Sequence, residues 1–290
     1  MTHVPSTVSV AFVTLGCPKN EVDSDRMAAA VRDSAYELVA SPDDADVVVL
    51  NTCAFIQPAT EESIAESFAL VGEWRPARDG RRVVVAGCLV SRYGSELAEA
   101  MPEPDAFLPV AEEDRILAVI EKLTGVPAHA HTDGIGRLAG GYTAYLKISE
   151  GCDRRCAYCT IPAIRGRFVS AAPESIVAEA RFLIGGGARE LILVGQDVSR
   201  YGSDRAELPD LAGLVGELAI LDGDYRLRLM YVQPDGVTDR LLEVMAAHQR
   251  ICDYLDIPLQ HSSARVLKAM GRPGGRESHL RLLARIRAAL

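Results

Sequence analysis

Three short apolar runs constrain this chain more tightly than any other feature. Val8–Thr14, Val47–Leu50 and Val83–Ala86 are rich in valine and show no alternation of apolar and polar residues. A run that is apolar throughout predicts a strand buried on both faces, as in a parallel sheet covered by helices. The intervening stretches supply those helices, because Glu21–Asp33 and Ala59–Val71 place apolar residues at helical spacing. The runs also end alike, at Gly16-Cys17, Asn51-Thr52-Cys53 and Gly87-Cys88. The carboxyl ends of parallel strands share one edge. Three cysteines far apart in sequence are therefore expected to converge.

Beyond Gly87 the pattern weakens. Pro102–Pro109 is a broken stretch, Glu112–Leu123 reads as a helix, and Gly125–Gly141 mixes Gly, Pro, His and Thr without periodicity. We place a first domain at 1–125, a linker at 126–141 and a second domain at 142–290. The second domain restarts the rhythm, with strands expected at Thr143–Ser149, Glu190–Val194, Arg226–Met230 and Tyr254–Ile257. Helices are expected at Pro173–Ile184, Leu208–Leu218, Thr238–Ala247 and Glu277–Ala289. Repeated βα units make either a parallel barrel or an open doubly wound sheet. These strands are too few to close a barrel, and no helix stop signal precedes Leu290, so the expectation is a partial one. The fold class is α/β, a parallel-sheet domain followed by a partial βα barrel.

Composition narrows the function. The formal net charge is −9, whereas proteins that grip nucleic acid through phosphates carry basic surfaces. Direct nucleic-acid binding is therefore not expected, although Arg154, Arg155, Arg165 and Arg167 make a local basic cluster. No apolar run is long enough to span a bilayer, and Met1–Val10 has no signal-peptide pattern. Both point to the cytoplasm. Seven cysteines are an odd number for a disulfide framework, and a reducing compartment favours metal or redox chemistry.

The sharpest motif is Cys152-Asp153-Arg154-Arg155-Cys156-Ala157-Tyr158-Cys159. It puts three thiols on one short loop after the first strand of the second domain. A [4Fe–4S] cluster usually takes four thiolates, so three leave one iron open to a chelating cofactor. A zinc site completed by distant ligands or three structural cysteines are the alternatives. Gly151 and Pro162 flank the loop and suit a tight path. Cys17, Cys53 and Cys88 make a second three-thiol set, against the alternative of unrelated core cysteines. Cys252, placed before a strand, reads as core. Gly185-Gly186-Gly187 precedes a strand rather than a helix, so it reads as a helix-ending turn, not a phosphate loop. Gly195-Gln196-Asp197 and Gln260-His261 end strands at the edge where βα folds bind ligands. Each is a ligand contact or a plain turn.

The C-x₃-C-x₂-C spacing resembles the signature of the radical S-adenosylmethionine (SAM) superfamily. Together with Thr14-Leu15-Gly16-Cys17-Pro18-Lys19-Asn20, Asn51-Thr52-Cys53, Ala86-Gly87-Cys88, Glu150-Gly151-Cys152 and Ile161-Pro162-Ala163-Ile164-Arg165-Gly166, it resembles the methylthiotransferase family. One branch of that family modifies an adenosine in tRNA, the other an aspartate of the twelfth small-subunit ribosomal protein. Leu146–Glu150, Gly195–Asp197, Ile257–Ser263 and Gly271–Gly274 look more like the ribosomal-protein branch. The acidic charge suits a basic protein target.

The resemblance implies two [4Fe–4S] clusters and SAM. Cys152, Cys156 and Cys159 would hold the catalytic cluster, and Cys17, Cys53 and Cys88 the other. Tyr158 would lie against the adenine of SAM; Gln196 and Gln260, from their place at strand ends, are the further candidate cofactor contacts. By this resemblance the first-named cluster reduces SAM to a 5′-deoxyadenosyl radical, which takes hydrogen from the β-carbon of the aspartate. The other cluster supplies sulfur and a second SAM the methyl group. An electron donor such as a flavodoxin or ferredoxin is implied, as are further barrel strands and a β-rich substrate-binding domain beyond this sequence. The competing readings are a tRNA adenosine methylthiotransferase and an iron–sulfur electron carrier.

Overall fold

A computed structural model describes residues 7–129, 135–138 and 140–290. Residues 1–6 of the N-terminal stretch, and 130–134 and 139 of the segment read as a linker, lie outside the described residues. The chain divides into two compact units. One comprises Met1–Leu138 with Ala163–Arg165, the other Ala139–Pro162 with Gly166–Leu290.

The first unit is a three-layer α/β sandwich. Its elements are β1 (Ser9–Thr14), α1 (Pro18–Arg32), β2 (Glu37–Leu38), β3 (Val47–Thr52), α2 (Gln57–Ala69), β4 (Arg82–Gly87), α3 (Cys88–Ala100), β5 (Ala106–Pro109) and α4 (Ile116–Thr124). The sheet runs β2-β1-β3-β4-β5 with every pairing parallel. All six residues of the central β3 are buried. Successive side chains of a strand point to opposite faces, and the core divides accordingly. Val48 and Leu50 pack with Trp74, Leu89 and Leu97, while Val47 and Val49 pack with Met27, Ile116 and Ile120.

Two short edge strands, β2 and β5, were not expected. The second lies within the stretch read as broken, where Pro109 ends it. Proline is tolerated at an edge because no central ladder needs its missing N–H. The helix expected at Glu112–Leu123 begins as a 3₁₀ turn at Val110–Arg115 and becomes α-helical at Ile116.

The second unit contains β6 (Thr143–Lys147), β7 (Ser149–Glu150), α5 (Ile161–Arg165, whose last three residues pack with the first unit), β8 (Val169–Ser170), α6 (Pro173–Gly185), β9 (Glu190–Val194), α7 (Leu211–Ala219), β10 (Arg226–Leu229), α8 (Asp239–Ala247), β11 (Ile251–Leu255), α9 (Ala264–Ala269) and α10 (Arg276–Ala289). The sheet order is β11-β10-β9-β6, all parallel. The order never reverses. Right-handed crossovers that always step the same way put their helices on one face, which is barrel winding rather than the doubly wound alternative. One core joins the strands to α6, α7, α8 and α10 through Leu193, Leu183, Leu214, Leu241 and Leu282.

Three expectations need correction here. The first strand stops at Lys147, and Ser149–Glu150 turns into a separate antiparallel pair with β8. The last strand lies at Ile251–Leu255 rather than Tyr254–Ile257. Cys252 therefore sits inside a strand, buried, not before one. The three glycines at 185–187 do end α6, as expected, with Gly187 in left-handed backbone. Among the described residues no helix is long and apolar enough to cross a membrane.

Candidate metal centres

Strand register brings the first thiol set together. Thr14 pairs with Asn51, Asn51 with Ala86, and Thr52 with Gly87. The chain therefore leaves β1, β3 and β4 at one level, and Cys17, Cys53 and Cys88 follow at once. Gly16 makes the approach possible. Its φ is +98°, and a Cβ there would stand 2.5 Å from Cys53 Cβ and 3.0 Å from its sulfur. Glycine is the residue that meets both demands at little cost. Ser63 fixes the backbone of Cys53, accepting from its N–H at 3.1 Å and donating to its carbonyl at 2.7 Å.

Asn20 is the hub of this set. Its Nδ2 donates to Thr52 O at 2.7 Å. Its Oδ1 accepts from the Cys17 thiol at 3.4 Å and faces the Cys88 thiol at 3.8 Å. Arg165 completes the arrangement, with Nη2 2.7 Å from Asn20 Oδ1 and 3.2 Å from Cys88 Sγ, and Nη1 2.6 Å from Asp23 Oδ2. Burial pushes the Cys88 thiol up to about 11; Arg165 pulls it back, and Cys53 and Cys17 add to the rise. All three sulfurs thus share one electrostatic neighbourhood.

The second set is built at the carboxyl ends of the second sheet. Gly151 has φ +71°, and a Cβ there would lie 2.1 Å from Arg167 O. The loop is tied down on several sides. Cys152 N–H donates to Gly166 O at 3.2 Å and Ala157 N–H to Met270 O at 3.0 Å. Arg154 is its main anchor. Nε lies 2.5 Å from Asp197, just beyond β9, and the other nitrogens fork onto Asp235, beyond β10, at 2.8 and 3.0 Å. Arg272 approaches Cys156 Sγ at 3.6 Å while donating to Pro258 O at 2.8 Å and to Gln233. Burial raises the Cys152 and Cys159 thiols, so ligation by thiolate needs a metal's charge to displace the protons.

Among the described residues no three His, Cys, Asp or Glu side chains are gathered so as to hold a metal ion. The donor chemistry of both sets, three thiols each, is that of iron–sulfur cluster ligands. Polar capacity is also open beside the second loop. Ser149 Oγ and Gln196 Oε1 are buried and lack a hydrogen-bond partner among the described residues, and Ser149 abuts Gly195, where a Cβ would stand 2.5 Å from its hydroxyl. The other end of Gln196 is held by Glu150 at 2.6 Å, which in turn pairs with Lys147 at 2.7 Å. Open hydrogen-bonding atoms at that edge suit a polar cofactor such as SAM.

Of the other candidates, Tyr158 is partly exposed beside Cys156, and partial burial and the sulfur together raise its phenol. Gln260 is exposed, at φ +64°, beyond β11. Its segment reaches the loop through Pro258 and Arg272. The basic cluster needs correction. Arg154 and Arg165 are spent in ion pairs, while Arg155 and Arg167 are exposed, the latter 3.5 Å from Asp153. Asp23, Asn20, Asp235 and Arg272 were not singled out from sequence. Asn20 and Arg272 do lie inside motifs that were.

This fold and loop define a class. The model described as "Radical SAM superfamily" matches residues 146–290, half of the chain, and "Uncharacterized protein family UPF0004" matches 9–109. The chain belongs to the radical SAM superfamily. It is 46% identical over 286 residues to the ribosomal protein uS12 methylthiotransferase RimO of Syntrophus aciditrophicus, covering 94% of this chain and 62% of that protein. With the RimO of Pelotomaculum thermopropionicum it shares 43% identity, covering 97% of this chain and 65% of that one. The chain thus spans less than two thirds of these relatives. The radical SAM methyltransferase TsrM of Kitasatospora setae, solved with cobalamin and a [4Fe-4S] cluster, superposes with a TM-score of 0.69 at 16% identity, over 98% of this chain and 65% of its own. The cobalamin-dependent radical SAM enzyme OxsB gives 0.65 at 13%, over 97% and 48%. These two likenesses bear on the fold alone.

Proposed function

We propose that this chain is the cluster-bearing portion of a cytoplasmic radical SAM methylthiotransferase that adds a methylthio group to the β-carbon of an aspartate in ribosomal protein uS12. The observation that carries the reading is the meeting of Cys17, Cys53 and Cys88 around Asn20 and Gly16. An enzyme that only cleaved SAM would need the Cys152–Cys159 loop but no second thiol set. The names of the full-length relatives favour the ribosomal protein over tRNA.

In this reading Cys152, Cys156 and Cys159 hold one [4Fe–4S] cluster, and Cys17, Cys53 and Cys88 another. When bound, the clusters and SAM supply one-electron chemistry, a methyl group and sulfur. An electron donor of the flavodoxin or ferredoxin kind reduces the enzyme. The protein's own residues set the stage. Arg154 fixes the loop between its first two thiols by reaching two strand ends at once. Gln196 and Ser149 offer unpaired polar atoms to SAM, Tyr158 an aromatic face and Gln260 a further polar contact. Asn20 and Ser63 hold the other thiols in place, and the buried surroundings of Cys53 and Cys88 keep water from them.

The test is an anaerobic assay with SAM and a reductant, offering uS12 and tRNA side by side to the chain and to a longer form, read by mass spectrometry. Methylthiolation of uS12 supports the reading. Modification of tRNA alone, or of neither by the longer form, overturns it.

A further inference from the structure

Arg165 is a residue whose position the superfamily chemistry does not require. It follows the Cys152–Cys159 loop in sequence, yet it packs in the first unit. Its side chain is 2% exposed, and that of its partner Asp23 is 1% exposed. A buried guanidinium is costly unless its hydrogen bonds are met. One nitrogen meets the carboxylate. The other reaches Asn20 Oδ1 at 2.7 Å and Cys88 Sγ at 3.2 Å. The guanidinium thus donates to one of the three sulfurs as well as to a carboxylate, and hydrogen bonds from a charged donor are the strong ones.

Reduction adds a negative charge to an iron–sulfur cluster. Hydrogen bonds to its sulfurs and the net charge nearby set its reduction potential. A cation in a low-dielectric interior acts strongly on such a charge. We propose that Arg165 is a positioning residue that acts through Cys88: it orients that thiolate and raises the reduction potential of the cluster on the first thiol set, with Asp23 setting how much of its charge the cluster feels. The inference rests on the reading of Cys17, Cys53 and Cys88 as a cluster site. It adds that this site is lined by a cation paired to a buried carboxylate.

The test uses the Cys152→Ala/Cys156→Ala/Cys159→Ala chain, in which the first set is the remaining cluster site. Iron per chain is measured after anaerobic reconstitution, followed by a potentiometric titration monitored by electron paramagnetic resonance. Arg165→Met should shift the potential to more negative values, and Arg165→Lys should shift it less. Asp23→Asn should shift it the opposite way, because it removes a negative charge beside the guanidinium. A merely structural pin would lose iron in both the Arg165→Met and Asp23→Asn variants without opposite shifts, and that result overturns the proposal. If Arg165→Met does not fold, the opposite signs of Arg165→Lys and Asp23→Asn decide it. Absence of iron from the triple-alanine parent would instead overturn the cluster reading of the first set, and this proposal with it.

Discussion

Replacing Arg154 by methionine should be the most damaging single change in the thiol loop that touches no sulfur. The Arg154 side chain is 15% exposed, that of Asp197 1% and that of Asp235 50%. Removing one partner of a buried pair strands the other charge, at about 3–5 kcal/mol. Asp197 keeps the Ser199 hydroxyl as a donor, which places the loss near the lower figure. Half-exposed Asp235 adds at most about 1 kcal/mol. At a urea slope of about 2 kcal/mol per molar, about 3 kcal/mol lowers the midpoint of the second unit by roughly 1.5 M. Asp197→Asn in the same background removes the stranded charge and should recover about two thirds of the loss. The assay is anaerobic equilibrium unfolding followed by far-UV circular dichroism. Trp74, the sole tryptophan, lies in the first unit, so its fluorescence reports that unit separately. A loss below about 1 kcal/mol, or no recovery in the double variant, would refute the reasoning.

The reconstituted chain should hold about eight irons and its Cys152→Ala/Cys156→Ala/Cys159→Ala variant about four; four in the parent would sink the two-cluster reading. Cys53→Ala should still cleave SAM to methionine and 5′-deoxyadenosine but insert no sulfur, whereas Cys156→Ala should do neither; both are read by mass spectrometry. Gly151→Ala should destabilise by about 2 kcal/mol or more, from left-handed strain and the weakened Cys152 N–H bond to Gly166, and iron per chain should fall; parent-like iron and stability would show that the turn is not strained. Tyr36 and Tyr201 donate to Val126 O and Ala171 O, and burial pushes both phenols up to about 12. The unfolded phenol titrates near 10, so stability should fall as pH rises from about 10 to about 12, and Tyr201→Phe should flatten that dependence for the second unit.

The central strands and the thiol sets were legible because each rests on a local signal. A valine run with no alternation forces a doubly covered strand, and the strand end then fixes where the next cysteine goes. The edge strands were not legible, since Glu37–Leu38 and Ala106–Pro109 are too short and too polar or proline-bound to show a period. The misplaced last strand has a similar cause: Ile251 and Cys252 are buried, but Arg250 and Asp253 mask the start of the run. The supporting charges were hidden for a different reason. Asp23 and Arg165 are 142 residues apart, and nothing in a single sequence says that two opposite charges meet. The same holds for Arg154 with Asp197 and Asp235.

The first sheet's register also separates the two thiol sets in time. Cys152, Cys156 and Cys159 lie within eight consecutive residues, so only a short loop must close before they can act together. Cys17 and Cys88 are 71 positions apart, and they meet only after β1, β3 and β4 have zipped side by side. Non-local parallel pairing is slow to form, and the intervening loops carry their closure entropy until it does. On the proposed two-cluster reading, the first set can take its cluster only once its whole unit has folded, while the second set needs only its own loop. Iron and sulfide would then reach the first set after folding. A lesion in any one of those three strands would scatter the first thiol set without touching a single cysteine.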